Sequence, residues 1–150
     1  MKRIIFGVFI TFFSINASAQ FVAKMEVKEA IEGMCSEKDV YALLPFDGQE
    51  KAICPVSEND ILKRLNSEIQ FLKDNPKFKD KGMIGLIINC KGKIVQCKMD
   101  NKTKSAELDK QIEELFNSLG EWKAGKLKGK KVDSSVLYSF KIKKGKITFD

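Results

Sequence analysis

Two stretches of the chain carry a clear 3.6-residue hydrophobic period. From Ser57, the residues Ile61, Leu65, Ile69 and Leu72 recur at intervals of four, four and three, which is one apolar helical face. Ser57 can cap the first turn, Asp60 stands at the capping-box position, and Asn75-Pro76 ends the pattern. A second helix follows Asn101–Lys104, with Thr103 or Ser105 as its cap. It carries a stripe of Leu108, Ile112, Leu115, Phe116 and Leu119 and stops at Gly120. Such a stripe reads as the core face of a helix on a sheet.

The remaining periodic stretches alternate as strands do. Met83–Cys90 and Lys93–Met99 flank Lys91-Gly92 and predict a hairpin. With a two-residue loop, Leu86 faces Cys97. One face then carries Ile84, Leu86, Ile88, Cys90, Val95, Cys97 and Met99, with Ile87 and Ile94 as exceptions on the other. Val136, Tyr138, Phe140 and Ile142 alternate with Leu137, Ser139 and Lys141 in a half-buried strand over 134–143. Lys144-Gly145 can turn into a short return, Lys146–Phe149. Asp39–Phe46 and Lys51–Cys54 around Asp47-Gly48 suggest a small N-terminal hairpin, with Pro45 limiting its first strand, and Ala23–Met34 is read as a helix. The expected fold is α+β: an antiparallel sheet with a strand-strand-helix-strand core, helices on one face, and an N-terminal hairpin extension over residues 20–56 before a domain at 57–150.

Composition changes this picture at the N-terminus. Lys2 and Arg3 precede an apolar run, Ile4–Phe13, and Ala17-Ser18-Ala19 has the small-x-small pattern of a cleavage site. Residues 1–19 are therefore expected to be a signal peptide. The apolar run is too short for a span of roughly 20 residues. A periplasmic or secreted product with no integral span after cleavage follows. The formal charge is +7, but Arg64 is the only arginine after Arg3, and arginine is the better phosphate reader. Nucleic acid is not expected as a partner. An anionic surface met by Lys123, Lys126, Lys128, Lys130 and Lys131 beside Trp122 is the alternative to a solvated lysine loop.

Cys35, Cys54, Cys90 and Cys97 form an even set in an exported chain, which suggests two disulfides. With no Cys-x-x-Cys and no histidine, neither a metal site nor a dithiol redox centre is expected. On the hairpin ladder, Cys90 and Cys97 would lie about 13 Å apart, beyond the reach of about 7 Å that a disulfide allows. Antiparallel packing of the first helix on the Met83–Cys90 strand would bring Cys54 to Cys90. That pairing is preferred, and it leaves Cys35 for Cys97. The missing histidine and the missing nucleophile, phosphate-loop and metal motifs leave no catalytic residues and no cofactor to assign. Glu113 and Glu114 are adjacent on a helix and face different directions.

The stretch between the second helix and the strand at 134–143 holds the only tryptophan. Trp122-x-x-Gly125, Gly129-Lys130 and Val132 follow the turn Cys90-Lys91-Gly92-Lys93-Ile94 and the helix opening Leu108-Asp109-Lys110. In order and spacing these motifs resemble the C-terminal domain of TonB-type energy transducers, over about residues 57–143. Ala124 stands where that family usually has proline, and with Pro45, Pro55 and Pro76 alone the chain lacks a proline-rich linker. The resemblance implies a non-catalytic periplasmic domain in which Trp122, Gly125, Gly129 and Val132 are structural. Its partner would be a protein or peptide, such as an outer-membrane receptor segment, added as a strand at a sheet edge. In a strand-strand-helix-strand order the third strand lies beside the first and leaves its outer side free. That places the partner edge at Val136, Leu137, Tyr138, Ser139, Phe140, Lys141 and Ile142. Whether Lys146–Phe149 folds back over it is left open.

Overall fold

The computed structural model describes residues 21–150, so the expected signal peptide lies outside the described residues. The chain runs β1 (Ala23–Glu26), β2 (Asp39–Ala42), β3 (Gln49–Glu50), α1 (Glu58–Glu68), α2 (Gln70–Asp74), β4 (Asp80–Ile88) and β5 (Ile94–Asn101). Then follow α3 (Ala106–Asn117), β6 (Lys126–Leu127), β7 (Lys130–Lys131), β8 (Ser134–Lys143) and β9 (Lys146–Phe149). The fold is α+β. A six-stranded, mostly antiparallel sheet has the order β1-β2-β8-β4-β5, with β9 also on β8, and a small sheet joins β3, β6 and β7. As the strand-strand-helix-strand order requires, β8 lies beside β4 and pairs with it antiparallel over its first nine residues.

The helices cover one sheet face. Ile61 and Leu65 of α1 and Leu108, Ile112 and Phe116 of α3 pack with Ile84, Leu86, Ile88, Met99, Phe140 and Ile142, all essentially buried. Ser57 caps α1 by accepting from the Asp60 N–H, and Ser105 caps α3 by accepting from the Leu108 N–H. The first helix is not continuous. Ile69 leaves the helical region at ψ 109°, and α2 restarts there with the Phe71 N–H donating to Gln111 Oε1 of α3 at 3.0 Å. The apolar stripe survives because Ile69 and Leu72 remain buried.

Leu86 pairs with Cys97 as the hairpin pattern predicts. The loop is longer by one residue than expected. The Asn89 N–H donates to the Lys93 carbonyl, and Asn89 Oδ1 accepts from Lys91 and Lys93. Gly92 then takes the left-handed position at φ 84°, as a three-residue hairpin loop requires. The resulting register shift sets Ile88 opposite Ile94, so Ile94 packs against the core alongside Cys97.

The N-terminal stretch departs most from the pattern. Ala23–Glu26 is a strand, not part of a helix over 23–34, because it pairs antiparallel with β2, and Gly33 at φ 88° is not helical. The expected hairpin of 39–46 with 51–54 does not form. Pro45 and a tight turn at Leu44–Phe46 carry the chain away from β2. Gln49–Glu50 then pairs with β6, and Ile53 bridges Lys123. The strand β2 instead joins the main sheet through a parallel bridge, Tyr41 to Ser134.

Candidate functional site

The centre of the candidate site is the outer side of β8. The Asp133 carbonyl accepts from the Tyr41 N–H, and the Ser139 carbonyl accepts from the Asp150 N–H. Backbone groups alternate sides along a strand, so Ser135 and Leu137 also point outward, away from β4. At one end, β2 meets the strand at Ser134. At the other, β9 pairs with Phe140–Lys143, Phe140 facing Phe149 and Lys143 facing Lys146. The return strand therefore covers Phe140, Lys141 and Ile142, and these three leave the expected partner edge. The open stretch is Ser135–Ser139, with Val136, Leu137, Tyr138 and Ser139 kept from the original set. Among the described residues, the N–H and C=O of Leu137 have no partner.

A groove opens on each face of this gap. On the helix side, a cavity of about 240 Å³ is bounded by Leu43, Leu44, Ala52 and Val136, because the chain after β2 diverges from β8. On the other face, a groove of about 320 Å³ runs between the β1–β2 ribbon and the sheet, floored by Gly85 and Ile87 and walled by Met25 and Val27. Leu137 is 55% exposed over this second groove, while Val136 and Tyr138 point toward the core. Tyr138 stacks at 5.2 Å on Phe116 and 5.1 Å on Phe149, and burial raises its phenol to about 12.

The Trp122 segment holds this strand in place. Trp122 is 5% exposed and lies in the core cluster. Its N–H donates to the Gly92 carbonyl at 2.8 Å, and Lys123 exchanges two backbone hydrogen bonds of 2.9 Å with Ile53. Gly125 sits where a side chain would strike Leu43 and Ser134, which explains the glycine after Trp122. Lys128 and Gly129 both take positive φ (51° and 78°) in the two-residue β6–β7 turn. The Val132 N–H closes back on the Gly125 carbonyl at 3.0 Å. With its ring buried, Trp122 offers no exposed stacking surface to the surrounding lysines. Lys126 pairs with Glu50.

A single disulfide joins Cys35 to Cys90, while Cys54 and Cys97 are free thiols. The expected Cys54–Cys90 and Cys35–Cys97 pairing is thus replaced. The cause is Asp133, which sequence reasoning missed. Its buried carboxylate accepts from the Cys35 and Ser36 N–H groups (2.8 Å each) and from the Cys90 N–H (2.9 Å). Asn89 Nδ2 adds a bond to the Gly33 carbonyl at 2.8 Å. The segment around Cys35 is thereby folded over the β4–β5 turn. Asp133 and the two sulfurs lie within 4.8 Å of one another. The sulfurs are bonded to each other and both carboxylate oxygens accept backbone N–H groups, so this cluster is a structural clamp. Only an isolated Asp between two strand-like runs marks it in the sequence.

Cys97 packs under α3, its Sγ donating to the Glu113 carbonyl at 3.7 Å, and burial raises it to about 12. Burial also raises Cys54. Both thiols are disfavoured as nucleophiles. Glu113 Oε1 accepts from the Met99 N–H at 2.8 Å, while Glu114 lies 3.8 Å from Lys110, so the two carboxylates diverge. The Glu113 contact also satisfies the outward Met99 N–H on the outer edge of β5, the terminal strand of the sheet, which the sequence pattern did not single out.

Among the described residues, no helix is long and apolar enough to cross a membrane. No protein-family model, curated protein or solved structure matches the chain.

Proposed function

We propose that this chain is an exported, non-catalytic protein-binding domain that takes up an extended peptide as an added strand on β8, between β2 and β9. The observation that carries the reading is Leu137. Its N–H and C=O point into the gap between β2 and β9 along β8, and its side chain is exposed beside an apolar groove. Buried or half-buried strands normally satisfy such groups, and peptide strands bind where they are left open. The gap accepts about four residues at strand rise. Alternate side chains of the peptide would enter the two grooves, so an apolar, β-branched peptide fits best. The resemblance to TonB-type C-terminal domains suggests a segment of an outer-membrane receptor as the partner, in the periplasm. The disulfide suits an oxidising compartment.

Titration calorimetry with extended receptor-derived peptides tests this reading, using the wild-type chain and Leu137→Pro. Proline removes the outward N–H, at an unpaired position where it is tolerated, and Leu137→Ala controls for the lost side chain, so the loss is read relative to Leu137→Ala. Binding weakened by about ten-fold or more in a folded Leu137→Pro chain supports strand addition, since a hydrogen bond and its alignment are lost. Equal affinity for both variants contradicts it.

A further inference from the structure

The sheet face away from the helices ends in a grid of lysines. Lys81 faces Lys141 directly across β4 and β8, and Lys143 faces Lys146 across β8 and β9. Lys79 borders the same patch beside Lys141 and Lys143. All five are exposed. Directly opposed like charges destabilise a sheet, so this arrangement costs stability in the free protein. Two acidic neighbours, Asp80 and Asp150, offset part of it, leaving lysines in excess by three. Asp150 pairs with Lys141 at 2.6 Å, whereas Asp80 spends its carboxylate on the Lys81 and Lys104 N–H groups. Among the described residues, Lys79, Lys81, Lys143 and Lys146 have no ion pair.

We propose that this face is a docking surface for an anionic phospholipid bilayer, independent of peptide uptake at β8. The grid spans three strands, about 10 Å across by 7 Å along them. Its cations are all lysine, which neutralises phosphate as point charges without the bidentate geometry of a base or single-phosphate reader. The neighbouring aromatic rings Phe78, Phe140 and Phe149 all pack against the core, so none is presented to stack on a base. A cluster of lysine charges on one sheet face, without directional readers, matches a headgroup layer better than a nucleic acid.

Co-sedimentation of the full chain with vesicles tests this. The probes are phosphatidylcholine alone and phosphatidylcholine carrying about one-third phosphatidylglycerol, at low and at high salt. The wild-type chain is expected to bind only the anionic vesicles and to release as salt rises. The variant Lys79→Gln/Lys81→Gln/Lys143→Gln/Lys146→Gln should lose about ten-fold or more of that binding. Its thermal midpoint should be unchanged or higher, because the opposed charges are gone. The control Lys123→Gln/Lys128→Gln/Lys130→Gln/Lys131→Gln removes the same charge from the β6–β7 region and should bind like wild type. Equal losses in both variants would reduce the effect to net charge and overturn the proposal. So would retained binding in the first variant, or tighter wild-type binding to duplex DNA than to anionic vesicles in the same salt.

Discussion

Gly92 and Trp122 are locked backbone to backbone. The Trp122 N–H donates to the Gly92 carbonyl, and a Cβ on Gly92 would collide with the Trp122 carbonyl oxygen. Gly92 also sits at φ 84°, where a side chain is strained regardless of space. Gly129 has a similar φ of 78°, but nothing lies within 4 Å of its missing Cβ. Gly129→Ala should therefore cost only about 1–2 kcal/mol, the left-handed penalty alone. Gly92→Ala should cost clearly more, about 3 kcal/mol or above, because the Trp122 segment must also shift. Urea unfolding followed by Trp122 fluorescence compares them directly, and a blue-shifted emission in the native chain checks the burial of the ring.

Asp133 predicts a second large effect. Asp133→Ala leaves the Cys35, Ser36 and Cys90 N–H groups without their acceptor, at about 1–3 kcal/mol for each that stays dry. Asp133→Asn should also destabilise, because its amide would set a donor against one of those donors. The disulfide beside it closes a loop with a sequence separation of 55, worth about 4 kcal/mol in the chain-entropy account. Denaturant midpoints of Asp133→Ala and of Cys35→Ala/Cys90→Ala, with and without reductant, check both numbers. Reductant should move the midpoint of Asp133→Ala but leave the double cysteine variant unaffected.

The free thiols and Tyr138 set the alkaline behaviour. Burial raises Cys97 and Tyr138 to about 12, well above the ordinary range of a thiol and a phenol. The folded chain holds these protons more tightly than the unfolded chain, so their contribution is complete below pH 9. It falls as pH rises from about 9 toward 12. Cys97→Ala and Tyr138→Phe should each flatten that decline in stability measured against pH. Ellman's reagent at neutral pH should react slowly with the native protein and count two thiols after denaturation without reductant.

Legibility followed local periodicity. The stripes of α1 and α3, the Ser57 cap, and the Leu86–Cys97 register depend on neighbours a few residues away and were readable, while the α3 cap was narrowed to Thr103 or Ser105. What failed depends on contacts between distant segments. Ala23–Glu26 is a strand only because β2 is beside it, and β2 is in the sheet only through Tyr41 and Ser134. The cysteine pairing failed for the same reason: it is set by Asp133, whose partners lie 98, 97 and 43 residues away. The strand carrying the candidate edge was found from its alternation and from the topology of hairpin, helix and third strand. How much of that edge β2 and β9 cover is tertiary, and no period encodes it.

Amide hydrogen exchange across β8 tests the central reading most directly. In the free chain the Leu137 and Ser139 amides, which face the gap, should exchange much faster than those of Val136 and Tyr138, which face β4. Addition of an extended receptor-derived peptide should slow Leu137 and Ser139 selectively. Protection that appears instead at Val95 and Cys97 on the β5 edge, or nowhere in β8, would contradict strand addition between β2 and β9.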